Sequence, residues 1–128
     1  MSFVLAFIIV FATIVFVHEF GHFISARKSG MNVEEFGFGF PPRLVAIKRG
    51  KTVYSLNLIP LGGFVKIKGE DGEDRESSDS FASKSIFRRA VTLAAGVFAN
   101  VVLAFLNDGR FKGAIPISWR LYPDVTKI

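Results

Sequence analysis

Two long apolar stretches, separated by a polar region, dominate this 128-residue chain. The first runs from Phe3 to Ala26, and the basic pair Arg27-Lys28 follows it. Its 24 residues are enough for a slightly tilted helix to cross about 30 Å of hydrocarbon. The second, from Ala90 to Leu106, has 17 residues and is extended by Ile86-Phe87. The pattern predicts a mainly α integral membrane protein with transmembrane helices at 1–26 and 86–106.

Two other interpretations of the apolar stretches are less favoured. A cleaved signal peptide needs a basic leading region and a small-residue cleavage site, and the first stretch has neither. A buried core helix of a soluble domain needs enough surrounding chain to cover it. The residues outside these stretches are too few to bury two such helices, so we expect both to be retained membrane spans.

The region between the stretches has the pattern of a small β structure followed by a polar linker. Two short apolar runs, 43–48 and 52–58, flank Arg49-Gly50-Lys51 and predict a hairpin. A turn at 60–63 and a third strand at 64–68 are predicted next. We therefore expect a β-hairpin or β-loop on the cytoplasmic side over 27–69, then a polar, interfacial segment over 70–85.

Charge and composition narrow the class of protein. The chain has no cysteine, which excludes a disulfide scaffold and a thiolate metal site. The net charge is +5, but the basic residues flank the apolar stretches instead of forming an arm that would bind nucleic acid. Twelve of the 16 basic residues lie within 27–89, so the positive-inside rule places this region in the cytoplasm. A lipid bilayer is the expected surrounding, and no nucleic-acid partner is expected.

Three ionisable residues interrupt the first span: His18, Glu19 and His22. Each costs at least about 2.5–3.5 kcal/mol inside a membrane on insertion scales, so their presence requires a reason. Residues at i and i+4 share a helix face, so both imidazoles can reach one metal ion, with Glu19 beside them. This is the H-E-x-x-H arrangement of zinc metalloproteases.

The residue types suit hydrolysis. Neutral imidazoles hold Zn²⁺ and keep its Lewis acidity, and a carboxylate next to a zinc-activated water can accept its proton. The spacing thus predicts His18 and His22 as metal ligands and Glu19 as the catalytic base, with no further cofactor-binding residues. The alternative is a plain membrane anchor whose histidines and glutamate are hydrogen-bonded within a helix bundle.

Several ordered blocks resemble the site-2 proteases, intramembrane zinc metalloproteases, of the bacterial regulator-of-sigma-E type. They cover residues 1 to about 106 and are V-H-E-F-G-H-F, A-R-K-S-G, F-G-F-G-F-P-P-R-L, I-P-L-G-G-F-V-K-I-K-G-E-D, F-x-S-K-S-x-x-R-R-A and A-G-V-F-A-N. The resemblance implies zinc ligands at His18 and His22 and a base at Glu19. It implies a multi-pass protein of the inner membrane that cleaves transmembrane substrates in regulated intramembrane proteolysis. It also implies that residues 43–68 form a β-loop whose edge binds an unwound substrate.

The resemblance also implies a third zinc ligand, an Asp in an L-D-G motif on a later helix, which this sequence does not contain. Asp108 in L-N-D-G-R is better explained as a turn residue, because it should emerge on the opposite side of the membrane. Residues 107–128 form a divergent tail. A catalytically incomplete N-terminal fragment or non-catalytic homologue is therefore the alternative function. The substrate and the oligomeric state stay open.

Asn100, inside the second span, has two interpretations. It either makes a helix–helix hydrogen bond, which is the default for such a residue, or contacts the active site.

Overall fold

A computed structural model describes residues 2–107 of the chain. Two helices flank two long strands in the order α1 (Phe3–Lys28), β1 (Val33–Arg49), β2 (Thr52–Ile67) and α2 (Ile86–Asn107). This confirms the prediction of two long apolar helices with a small β structure between them. The predicted tail lies outside the described residues apart from Asn107, which ends α2.

Helix α1 has defined signals at both ends. The Ser2 hydroxyl accepts a hydrogen bond from the Leu5 amide over 3.2 Å and caps the first turn. At the other end Arg27 and Lys28 occupy the last turn, and Gly30 follows with φ +77°. Both α1 and α2 are long and apolar enough to cross a bilayer.

The strands pair in an antiparallel hairpin around Gly50, with Arg49 opposite Thr52 and Arg43 opposite Asn57. The hairpin also bends back on itself, because Phe36 lies opposite both Tyr54 and Val65. Four segments therefore lie side by side in the spatial order 43–49, 52–57, 33–38 and 63–67. Along the central contact, from Glu35–Val53 to Phe38–Leu56, residue numbers rise together, so those two segments run the same way.

The prediction of a turn at 60–63 was wrong, whereas the strand predicted at 64–68 is present as far as Ile67. Residues 60–63 lie within β2, which continues without a break to Ile67. The first part of β1, which the hydrophobic pattern did not identify as a strand, supplies the partner for 63–67. Pairing of Ile59 with Phe40 and of Gly63 with Phe38 brackets the stretch 60–62, which stays extended although its composition is typical of a turn.

Aromatic side chains hold the sheet against one face of α1. Phe16 packs edge-on against Phe36 and Phe38, with ring centroids 5.7 and 6.0 Å apart. Phe23, two turns further along, contacts Phe36 at 5.2 Å and Tyr54 at 6.0 Å. Such ring pairs each add about 0.5–1.5 kcal/mol beyond the area they bury. The sheet is thereby fixed beside the turn of α1 that carries the ionisable residues.

A small core closes the junction between the helices and the sheet. It is formed by the buried side chains of Ala26, Met31, Val33, Ile67 and Phe81, with Phe23 and Val65 packed against them. Several apolar side chains of the hairpin lie outside this core and are exposed. Leu44, Val45, Ile47 and Leu58 are each more than half exposed.

The polar segment before α2 is tied to the end of β2 by a compact network. Lys68 Nζ donates to Asp79 Oδ1 over 3.0 Å, and the Ser77 hydroxyl donates to the same oxygen over 2.6 Å. The Ser77 hydroxyl and the Lys68 ammonium lower the pKa of Asp79 to about 2. The same contact with Asp79 raises the pKa of Lys68. The predicted linker is therefore anchored at its C-terminal end.

Candidate metal centre

His18 and His22 converge on one point between the two helices. They lie one turn apart on α1, and their Nε2 atoms are 3.1 Å from each other. Two imidazole nitrogens on a tetrahedral zinc ion, each at 2.0–2.1 Å, are about 3.3 Å apart. The side-chain pair thus has the separation that a shared metal ion requires.

Helix α2 orients both imidazole rings through contacts with their Nδ1 atoms. His22 Nδ1 donates to the backbone oxygen of Thr92 over 2.8 Å, which leaves its Nε2 with a free lone pair. His18 Nδ1 lies 3.2 Å from the side-chain amide of Asn100. Metal-binding histidines usually have the second ring nitrogen held in this way, so that ring orientation and tautomer are fixed.

Gly96 lies between these two contacts and makes room for both rings. A Cβ at Gly96 would lie 2.5 Å from His22 Nε2 and 2.6 Å from His18 Nε2. Thr92, Gly96 and Asn100 are spaced four residues apart, so they form one stripe on α2 that faces the histidines. Thr92 and Gly96 are buried, and Thr92 also bonds to the Ser25 hydroxyl over 3.3 Å.

Gly21 brings the two helices close together. A Cβ there would lie 2.5 Å from the Ala95 carbonyl oxygen and 2.8 Å from Ala99 Cβ. The backbones therefore approach through small side chains, as the composition of the second span predicts. This close approach is what brings Thr92 and Asn100 within hydrogen-bonding reach of α1.

Glu19 lies on the side of α1 that faces the sheet. A small cavity of about 220 Å³ is lined by Glu19 and His22 together with the edge of β2, including Gly63 and Val65. A Cβ at Gly63 would be 3.3 Å from Glu19 Cγ, so the strand passes close to the Glu19 side chain. Glu70, expected only as part of a solvated linker, also lines this cavity.

The donor set fits zinc in part. Two imidazole nitrogens converge, both rings are oriented by α2, and a carboxylate lies one residue from a ligand. Within residues 2–107, no group of three or more His, Asp or Glu side chains is close enough together to hold a metal ion. Asp108 lies outside the described residues. His18 and His22 would hold two of the coordination positions.

Comparison with known proteins assigns the family. The sequence profile of peptidase family M50 matches residues 6–107, which is most of the chain. The chain belongs to peptidase family M50. This family is that of the site-2 proteases, so the resemblance noted from the sequence blocks is confirmed.

Individual relatives carry zinc metalloprotease names. The chain is 42% identical over 99 residues to a Clostridium perfringens protein whose name assigns it provisionally to the zinc metalloproteases, covering 77% of this chain and 29% of that protein. It is 42% identical over 87 residues to the zinc metalloprotease RasP of Bacillus licheniformis, covering 68% and 21%. It is 42% identical over 86 residues to the regulator of sigma-W protease RasP of Bacillus subtilis, covering 67% and 20%. The chain thus spans less than a third of the length of these relatives.

The structure adds residues that the sequence did not single out for the site. Thr92 was not identified at all, and Gly96 was assigned only to helix packing. Asn100 makes both contacts that were considered as alternatives, because its helix–helix hydrogen bond is made to a candidate ligand. The sequence does contain a pattern that could have identified these residues. Thr92, Gly96 and Asn100 recur at four-residue intervals and form a stripe of polar and small residues on a mostly apolar helix.

Proposed function

We propose that this chain carries the catalytic metal-binding part of a zinc-dependent intramembrane endopeptidase that cleaves transmembrane proteins. The observation that supports this most directly is the pair of Nε2 atoms 3.1 Å apart on an apolar helix, with Glu19 next to them. Membership of peptidase family M50 and the zinc metalloprotease names of its relatives agree with the proposal.

The proposed setting is a multi-pass protein of the cytoplasmic membrane, with α1 and α2 as two of its spans. They are antiparallel, because His22 near the end of α1 meets Thr92 near the start of α2. The basic residues around the sheet support a cytoplasmic position for residues 27–89. In this orientation His18 and His22 lie inside the bilayer near its cytoplasmic face.

The proposed reaction is hydrolysis of a peptide bond. Zinc, when bound, supplies Lewis acidity toward a water molecule and the scissile carbonyl. Glu19 accepts a proton from the attacking water at its carboxylate and delivers it to the leaving amine. The new bond joins the water oxygen to the carbonyl carbon, and the carbon–nitrogen bond breaks. Thr92 and α2 keep His22 in the tautomer with a free Nε2.

The edge of β2 is the proposed binding surface for the substrate. Among residues 2–107, the 63–67 segment pairs with the first part of β1 and lies at one edge of the sheet, and it lines the cavity that Glu19 and His22 also line. An extended peptide can add to such an edge through main-chain hydrogen bonds. A transmembrane substrate would have to unwind locally to do so, which places its backbone next to the carboxylate.

Zinc content of the detergent-purified chain tests the metal site. About one zinc ion per chain is expected, lost in His22→Ala and retained in Glu19→Gln. Hydrolysis of a membrane-inserted peptide should be absent in both variants. No zinc in the wild-type chain would favour the alternative of a catalytically incomplete module whose third ligand comes from elsewhere. Zinc that persists in His22→Ala would contradict the assigned ligands.

Cross-linking tests the substrate edge. The chain has no cysteine, so Val65→Cys introduces a unique thiol. A transmembrane peptide with a thiol-reactive group should be captured at Val65 and not by the control Ile47→Cys on the opposite edge of the sheet. Equal capture at the two positions would contradict binding at the 63–67 edge.

A further inference from the structure

The side chain of Asn100 forms an ordered chain of hydrogen bonds with the two histidines. His22 Nδ1 faces a carbonyl oxygen, which only accepts, so this nitrogen carries the proton and His22 Nε2 has a lone pair. The contact between the two Nε2 atoms then requires that His18 Nε2 donate to His22. His18 Nδ1 is left as an acceptor, and Asn100 Nδ2, 3.2 Å away, donates to it.

This arrangement gives both imidazole rings hydrogen-bond partners without a metal ion. It prevents the two rings from binding one metal ion together. Two imidazoles that bind one ion through Nε2 must both present a lone pair there. The His18 proton must therefore move from Nε2 to Nδ1. The donor on Asn100 would then face another donor at His18 Nδ1, which is a repulsive contact.

Rotation of the Asn100 side-chain amide would remove this repulsive contact. Its Oδ1 atom is buried and has no hydrogen-bond partner in the described residues. The two ends of a side-chain amide have nearly the same shape, so a rotation of half a turn exchanges donor for acceptor at little steric cost. After that rotation Oδ1 accepts the proton of His18 Nδ1.

We infer that Asn100 is a positioning residue whose amide donates to His18 Nδ1 without metal and accepts from it when a metal ion is bound. The inference rests on the proposed function, because it assigns Asn100 a part in metal binding. It also makes a statement about the metal-free chain, namely the hydrogen bond from Asn100 to His18. A carboxylate could serve only the second state, and an apolar side chain neither.

Nitrogen NMR of histidine tests both states, and the chain has only two histidines to assign. In the zinc-free chain, His18 Nδ1 should be unprotonated and hydrogen-bonded, and Asn100→Leu should shift its resonance toward that of a free acceptor. After zinc addition, His18 Nδ1 should be protonated. Asn107→Leu is the matched control, since Asn107 lies on the same helix and its side chain donates to the Leu103 carbonyl.

Zinc affinity provides the second measurement, by competition with a chromophoric chelator. Asn100→Leu should weaken binding about 10- to 100-fold, the usual effect of removing a group that orients a ligand. Asn100→Asp should retain most of the affinity, because a carboxylate oxygen accepts from Nδ1, and Asn107→Leu should match the wild type. Equal losses in Asn100→Leu and Asn100→Asp, or an unprotonated His18 Nδ1 with zinc bound, would overturn the inference.

The two hypotheses fail in distinguishable ways. If the wild-type chain binds no zinc, the proposed function fails for this chain, and the zinc-free spectrum still tests Asn100. A His18 resonance that Asn100→Leu leaves unchanged would overturn the inference whether or not zinc binds.

Discussion

His22 Nδ1 donates to the backbone oxygen of Thr92 over 2.8 Å, so a candidate metal ligand on α1 is held by the main chain of α2. A main-chain acceptor cannot be removed by substituting Thr92, and it moves only when the helix moves. The orientation of His22 therefore depends on how closely α1 and α2 approach. The glycines at their contact are the positions where this dependence can be measured.

Gly96→Ala should weaken zinc binding. In an isolated helix, alanine is favoured over glycine by about 0.8–1.0 kcal/mol. Here the added Cβ would lie 2.5 and 2.6 Å from the Nε2 atoms of His22 and His18, so the rings or the helix must shift. We expect a loss of zinc affinity of about 10- to 100-fold, as for other changes that displace a ligand. Chelator competition measures it.

The control for that variant is Ala104→Ser, an exposed position on the same helix. It should leave zinc affinity unchanged. A Gly96→Ala chain with wild-type affinity would show that the rings do not need the space that Gly96 leaves.

Gly21→Ala should separate the helices. Its Cβ would meet the Ala95 carbonyl oxygen, a backbone atom that cannot turn away as a side chain can. Overpacking of this kind typically costs about 1–3 kcal/mol. We expect a lower free energy of unfolding, measured by circular dichroism in mixed detergent micelles. Thr13→Val, exposed on α1, should show no such loss, and an equally stable Gly21→Ala chain would contradict the close helix contact.

The sequence predicted most of the helical part of the fold and less of the sheet. Apolar runs of this length have few alternatives to a helix, and the structure extends them only from 26 to 28 and from 106 to 107. The second partner of Phe36 could not be predicted, because pairing between distant segments depends on how the hairpin bends. The turn composition of 60–63 was misleading for the same reason.

Only the part of the candidate site that depends on spacing within one helix could be predicted. The shared helix face of His18 and His22 follows from their four-residue spacing. Their contacts with Thr92 and Asn100 cross 70 and 82 residues of sequence, and they depend on the register between two helices. Glu70 reaches the cavity of Glu19 only because β2 passes beside α1.

Asn57→Ala should destabilise the bend of the hairpin. The buried Asn57 side chain donates to the backbone oxygens of Phe38 and Gly39, over 3.2 and 3.1 Å. Its removal takes away two hydrogen bonds at the bend, and a buried polar group left unsatisfied costs about 1–3 kcal/mol. Faster hydrogen exchange of the strand amides around Gly39 should report the loss. Lys51→Ala at the exposed hairpin end is the control, and unchanged exchange in Asn57→Ala would show that these bonds do not hold the bend.

The contact between Asp79 and Ser77 predicts how the segment before α2 responds to acid. The pKa of Asp79 is lowered from 3.8 to about 2, first by the Ser77 hydroxyl and then by Lys68. A lowered pKa means that the ionised carboxylate stabilises the folded segment. This contribution is complete above the unfolded pKa near 3.8 and is lost as the pH falls through about 2.

Carboxyl-carbon NMR of the acid titration measures this directly. Ser77→Ala and Lys68→Met should each move the pKa of Asp79 upward toward 3.8, with the larger change in Ser77→Ala. The Asn32 amide, which donates to the Asp79 carbonyl over 2.7 Å, should exchange faster in the same pH interval. Thr13→Val, far from this network on α1, should leave the titration unchanged. An Asp79 pKa that stays near 2 in both Ser77→Ala and Lys68→Met would show that neither contact stabilises the carboxylate.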